Sequence, residues 1–136
     1  TVDKIDSVLP EADILYLATP ETPETKNLIS RERLDLLKPS CGIVNIGRQS
    51  AIDYDALCEK LKTKKIAGAI LDVFTHEPIK SDSKLWEIPN LIITPHVSAD
   101  DGESYVRLTL ELFMENLELF INNKPLLNQI DKKLGY

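Results

Sequence analysis

The sequence predicts an α/β protein built on an open parallel sheet of about four strands, with flanking helices and one long C-terminal helix. Three observations carry this reading. Four short runs are almost continuously apolar, without in/out alternation, which is the pattern of parallel strands covered on both faces. Segments with helical apolar spacing lie between and after those runs. Each run also ends in polar or special residues, as expected where strands point their carboxyl ends at a ligand.

The predicted strands are Asp13 to Ala18, Gly42 to Ile46, Ile66 to Val73 and Leu91 to Thr94. Ser30 is a candidate N-cap for a helix that stops before Pro39, with Leu34 and Leu37 on its apolar face. Asp53 caps a second helix, with Tyr54, Leu57, Cys58 and Leu61 as the buried stripe. The segment Asp82 to Glu87 has room for one short turn. A long helix is expected from about Asp100 to about Asn122, striped by Tyr105, Leu108, Leu112, Phe113, Leu117 and Phe120. Asp100, Asp101 and Glu103 near its start suit the helix dipole. The residues after Asn123 have no clear period and read as a tail. The expected division is therefore a domain over residues 1–122 and a tail over 123–136. Strands alternating with helices imply right-handed crossovers.

Composition narrows the function. A net charge of −6, with no basic run interleaved with aromatics, argues against a nucleic-acid partner. The basic stretch Lys62 to Lys65 sits just past a helix end and reads as a solvated terminus. Cys41 and Cys58 have neither disulfide-framework nor zinc-site spacing, so no metal is expected. Reduced thiols, and with them a cytoplasmic location, are the expectation. No apolar run reaches the ~18 residues of a membrane span. The chain begins at Thr1 and its sole methionine is Met114, so it is expected to start partway through a longer protein.

The strand ends carry the chemistry. After the first strand comes Thr19-Pro20, after the second Gly47-Arg48, after the third Asp72 and then Glu77, and after the fourth Pro95-His96. Adjacent strands lie ~4.8 Å apart, so Arg48, Glu77 and His96 are within reach of one small molecule. A guanidinium holds a carboxylate through two parallel hydrogen bonds. Histidine exchanges a proton near neutrality, and a carboxylate beside it fixes its tautomer and favours the protonated ring. Together they suit a 2-hydroxy or 2-oxo acid. Each residue also has a plainer reading: Arg48 as a surface ion-pair partner, His96 as a packed residue, Glu77 as the opening of a turn at Pro78.

The strings NIGR, AILDVFTHEP and IITPHVSA, in that order and spacing, resemble successive signatures of the D-isomer-specific 2-hydroxyacid dehydrogenase family. ADILYLATPETPETKNLIS and LWEIPN resemble further segments of it, and the likeness covers nearly the whole chain. The resemblance implies the C-terminal part of a Rossmann-like NAD-binding domain, from an enzyme that moves a hydride between NAD or NADP and a small 2-hydroxy or 2-oxo acid. It makes Arg48 the binder of the substrate carboxylate, His96 the acid/base and Glu77 its partner. It assigns Asp72 and Ser98 to the nicotinamide carboxamide or its surroundings, Ile46 and Gly47 to the nicotinamide ribose, and Thr19, Pro20 and Thr25 to the adenosine side. A homodimer of the whole protein is also implied.

Two departures from the family pattern stand out. Gln49 occupies the place where the family usually has glycine after the arginine, which costs little if φ there is negative. No G-x-G-x-x-G occurs: the glycines are Gly42, Gly47, Gly68, Gly102 and Gly135. The pyrophosphate cradle, and the acidic residue that would follow it, are expected upstream. The first strand would then lack its neighbour, and self-association of the isolated chain is expected. The rival reading is a dehydrogenase-like, nucleotide-sensing protein-binding module of corepressor type.

Overall fold

The four apolar runs pair in parallel and in chain order: β1 (Ile14–Leu17), β2 (Gly42–Asn45), β3 (Gly68–Leu71) and β4 (Leu91–Ile93). The computed structural model describes residues 4–136. Each strand is shorter than the apolar run that predicts it. The parallel register aligns Leu17, Asn45, Leu71 and Ile93 in one row across the sheet, and Tyr16, Val44, Ile70 and Ile92 in the next.

These rows face different surroundings. Leu17, Asn45 and Leu71 are buried, whereas Tyr16 is 57% and Ile92 60% exposed. The strands are therefore covered on one face, not on both as their composition suggests. The reason is topological. When successive strands add in one direction, right-handed crossovers all fall on the same side of the sheet. The crossover helices α2 (Arg31–Leu36) and α3 (Tyr54–Lys62) accordingly lie against each other. Leu34, Leu57 and Leu61 join Leu17, Ile43 and Leu71 in one core.

The caps behave as their residue types require. The Asp53 carboxylate accepts from the Ala56 amide at 2.9 Å, satisfying a first-turn donor of α3. Ser30 caps α2 at its edge of reach, 3.5 Å from the Arg33 amide, and donates to Glu32 at 2.6 Å. Arg31 on α2 pairs with Glu59 on α3, and the almost fully buried Lys60 pairs with Asp35. The short turn near Glu87 is a 3₁₀ turn, Lys84–Glu87. A short helix, α1 (Ile5–Val8), and a 3₁₀ turn, Leu9–Glu11, precede β1 and were not expected. They bring Leu9 into the core.

A second compact unit spans Ala99–Tyr136, the first ending at Ser98. It holds α4 (Tyr105–Ile121), slightly shorter than predicted, and none of the helix's residues is buried. The tail expected from residue 123 lies within this unit. It returns toward α4 through Asn116, whose side-chain oxygen accepts from the Leu127 amide at 2.7 Å.

At the strand tips, Gly47 lies directly against the backbone of Thr19. A Cβ at Gly47 would stand 2.7 Å from the Thr19 carbonyl oxygen and 2.8 Å from its amide nitrogen. Both neighbours are backbone and have no rotamer to yield. Gly47→Ala is therefore expected to destabilise the chain by roughly 1–3 kcal/mol, the usual cost of overpacking. A urea midpoint unchanged from that of the unaltered chain would mean that the two tips separate freely.

Candidate active site

The end of β2 is shaped by Asn45, which is fully buried. Its side-chain oxygen accepts from the Gly47 amide at 3.1 Å. Its amide nitrogen donates to the Arg48 carbonyl at 3.1 Å and to the Tyr54 hydroxyl at 3.3 Å. One side chain thus folds the Ile46–Arg48 turn, and Arg48 emerges from it exposed to solvent. The Tyr54 hydroxyl donates in turn to the Val73 carbonyl at 2.7 Å, joining this turn to the end of β3. Burial raises the Tyr54 phenol well above its ordinary range, so it remains a neutral donor.

Gln49 does not take a positive φ and opens a short 3₁₀ turn, Gln49–Ala51, so a side chain is tolerated there. The loops after β1 and β2 are also tied together. Asn27 and Ile29 donate their amides to the carbonyls of Ser50 and Ala51 at 2.7 and 2.8 Å. The Ser50 hydroxyl donates to Glu21 at 2.7 Å.

Asp72, just past β3, is 1% exposed. Its carboxylate accepts from the Thr94 hydroxyl at 2.5 Å and from the amides of Val97 and Ser98 at 2.9 Å each. Burial opposes ionisation, but these donors outweigh it and hold the carboxyl down at about 2. The residue between Thr94 and those amides, His96, has φ 57°, a left-handed conformation uncommon outside glycine. Such a conformation persists only where its surroundings enforce it, and it concentrates at functional sites.

His96 meets Glu77 there: its Nδ1 lies 2.7 Å from Glu77 Oε2. The other Glu77 oxygen accepts from the Phe74 amide at 2.7 Å, which fixes the carboxylate in the turn after β3. These contacts, the imidazole first, hold the Glu77 carboxyl below its usual range. Both side chains remain partly open to solvent, at 45% for His96 and 36% for Glu77.

Arg48, Glu77 and His96 line one cleft of about 500 Å³, together with Glu21, Lys26 and Phe74. The other singled-out residues are placed differently. Thr25 uses its hydroxyl to close its own loop, donating to the Pro20 carbonyl at 2.6 Å. The Ile46 amide is taken by the Leu17 carbonyl at 2.9 Å. Thr19 keeps a buried hydroxyl without a protein partner. Pro20 and Ser98 are exposed. Sequence reasoning missed Asn45, Tyr54 and Thr94 as supports of the site. A lone polar residue at the end of an apolar strand is the signal available for Asn45. Among the described residues, no group of three or more His, Cys, Asp or Glu is placed to hold a metal, and no helix is long and apolar enough to cross a membrane.

Known proteins resemble this chain in sequence and fold. A D-3-phosphoglycerate dehydrogenase from Synechocystis is 41% identical over 82% of the chain, which spans 20% of that protein. A glyoxylate/hydroxypyruvate reductase B from Pectobacterium carotovorum is 44% identical over 74% of the chain, which spans 31% of it. Among solved structures, a D-isomer specific 2-hydroxyacid dehydrogenase from Xanthobacter autotrophicus in complex with NADPH and MES superposes with a TM-score of 0.88 and 34% identity. That match covers 98% of this chain and 54% of the other. Residues 1–98 match the family description "D-isomer specific 2-hydroxyacid dehydrogenase, NAD binding domain", and the chain belongs to that family.

Proposed function

We propose that the whole protein carrying this chain is an NAD(P)-dependent oxidoreductase acting on a small 2-hydroxy or 2-oxo acid. The observation that carries this is the His96–Glu77 pair, 2.7 Å apart, in the cleft that Arg48 also lines. Arg48 donates through one Nη to its neighbour's carbonyl, Gly47, at 2.8 Å. Its remaining donors are the ones to grip a substrate carboxylate in a fork. Glu77 takes the Nδ1 side of His96, so Nε2 is the atom that gives a proton to the substrate oxygen in reduction and removes it in oxidation. Asp72 acts through the backbone: it holds the Val97 and Ser98 amides and so aims the His96 ring.

The residues present suit a dinucleotide laid across the strand tips. The cleft joins the β2 and β3 tips, and Thr19 offers an unpartnered hydroxyl at the neighbouring β1 tip. Thr19, Pro20, Thr25, Ile46, Gly47 and Ser98 are the positions along which NAD or NADP would lie, with the enclosed Asp72 acting there through the loop it holds. When bound, the nicotinamide supplies or accepts the hydride. No glycine pair here has the spacing of a phosphate cradle.

In the full-length protein, His96→Ala is expected to lower kcat by roughly 10²–10⁴, the range for loss of a general acid–base group. Arg48→Ala should act chiefly by abolishing productive binding of the acid. Steady-state kinetics in which His96→Ala keeps most of its kcat would remove the assignment. The 136-residue chain alone should turn over no acid and bind NAD only weakly, so micromolar binding by titration calorimetry would contradict the account of the missing cradle.

Asp72 gives a pH-dependent test. Its native value of about 2 lies below the unfolded value of about 3.9, so its contribution is full above about pH 4 and is lost as pH falls through about 2. The difference corresponds to roughly 2–3 kcal/mol. Asp72→Asn offers one oxygen to the Thr94 and Val97 donors but turns an N–H toward the Ser98 amide. The stability gap between Asp72→Asn and the unaltered chain should narrow between pH 4 and pH 2 in urea titrations. A gap constant across that window would show that the carboxylate's charge does not hold the loop.

A further inference from the structure

Glu77 and His96 line two clefts at once. One is the cleft shared with Arg48 and Lys26. The other, about 410 Å³, has walls of Phe74, Ile79, Trp86 and Ile93, with the Glu77–His96 pair as its polar feature. No cation lines it. Its volume falls within the roughly 300–1,000 Å³ of small-molecule pockets. Trp86 donates its indole nitrogen to the Lys80 carbonyl at 2.9 Å, so the ring's one polar atom is satisfied within the loop. The indole is nonetheless 54% exposed, a large apolar surface left open beside the acid/base pair.

The planar C2 of a 2-oxo acid carries three groups: a carboxylate, an oxygen and a carbon substituent. Arg48 claims the first and His96 the second. The apolar cleft on the other side of the pair remains for the third. We propose that this cleft, with Trp86 and Ile79 as its walls, is the specificity pocket, and that it selects acids whose C2 substituent is a branched aliphatic or aromatic group. A charged or phosphorylated substituent would lose water there and find no partner. This inference rests on the function proposed above.

The test compares 4-methyl-2-oxopentanoate with glyoxylate, which carries only hydrogen at that position, as substrates of the full-length protein. The branched acid should have the higher kcat/KM. Trp86→Ala should reduce the ratio of the two kcat/KM values about tenfold, since a few buried carbons are worth that much in selectivity. Trp86→Phe should restore most of the ratio. Ile79→Lys, which puts a charge into the cleft without touching Trp86, should reduce it as well. A ratio unmoved by both Trp86→Ala and Ile79→Lys overturns the pocket while leaving the proposed function standing, as does a preference for glyoxylate or a phosphorylated acid. Turnover of no 2-oxo acid at all overturns the function beneath it, and the pocket with it.

Discussion

The carboxylate of Asp72 sets the position of His96, because it accepts from the Thr94 hydroxyl before the histidine and from the Val97 and Ser98 amides after it. A buried ionised group is costly unless its lone pairs are met. Here the donors come from one short loop, and meeting them bends that loop around His96. The bend leaves His96 at φ 57°, a strain of order 1–3 kcal/mol for a residue other than glycine. The same bend carries the imidazole to Glu77. The site thus depends on a residue whose carboxylate is enclosed by the loop it holds.

The sheet supplies the frame for this. Four parallel strands in chain order bring four loops to one edge in the order of the sequence. The same order puts both crossover helices on one face and leaves Tyr16 and Ile92 open on the other. β1 is an edge strand among the described residues, and its exposed Ile14 and Tyr16 are residue types usually found in an interior. The geometry that assembles the strand ends into a site also makes this stretch of chain one-sided.

Much of this was legible in the residues. The apolar runs located every strand, because the residues that strands turn to the core must be apolar. Ser30 and Asp53 marked helix starts, because short polar side chains satisfy first-turn amides. Arg48, Glu77 and His96 could be placed on one edge, because parallel strands all end there. Coverage of the second face was not legible: a run such as Ile14 to Leu17 has the same composition whether or not anything packs on it. Asn45 and Thr94 were not legible as supports either. Their partners lie three residues away in a turn and 22 residues away just past another strand, and no periodicity encodes such contacts. The role of Asp72 toward the His96 loop was hidden for the same reason.

The electrostatics of the cleft follow from how its carboxylates are occupied. The chain carries a net charge of −6, a poor general environment for an anion. The cleft nevertheless contains Arg48 and Lys26. The two carboxylates lining it are both engaged: Glu21 accepts from Ser50, and Glu77 is shared between His96 and the Phe74 amide. Neither is ion-paired with Arg48 or Lys26 among the described contacts. An exposed surface charge is screened within about 10 Å at moderate salt, so the distant acidic residues weigh little on a molecule held here. The local balance therefore favours an anion beside Arg48, while the carboxylate nearest His96 remains committed to its ring. That division of labour requires Glu77 to stay fixed to the Phe74 amide, and the turn after β3 provides that anchor.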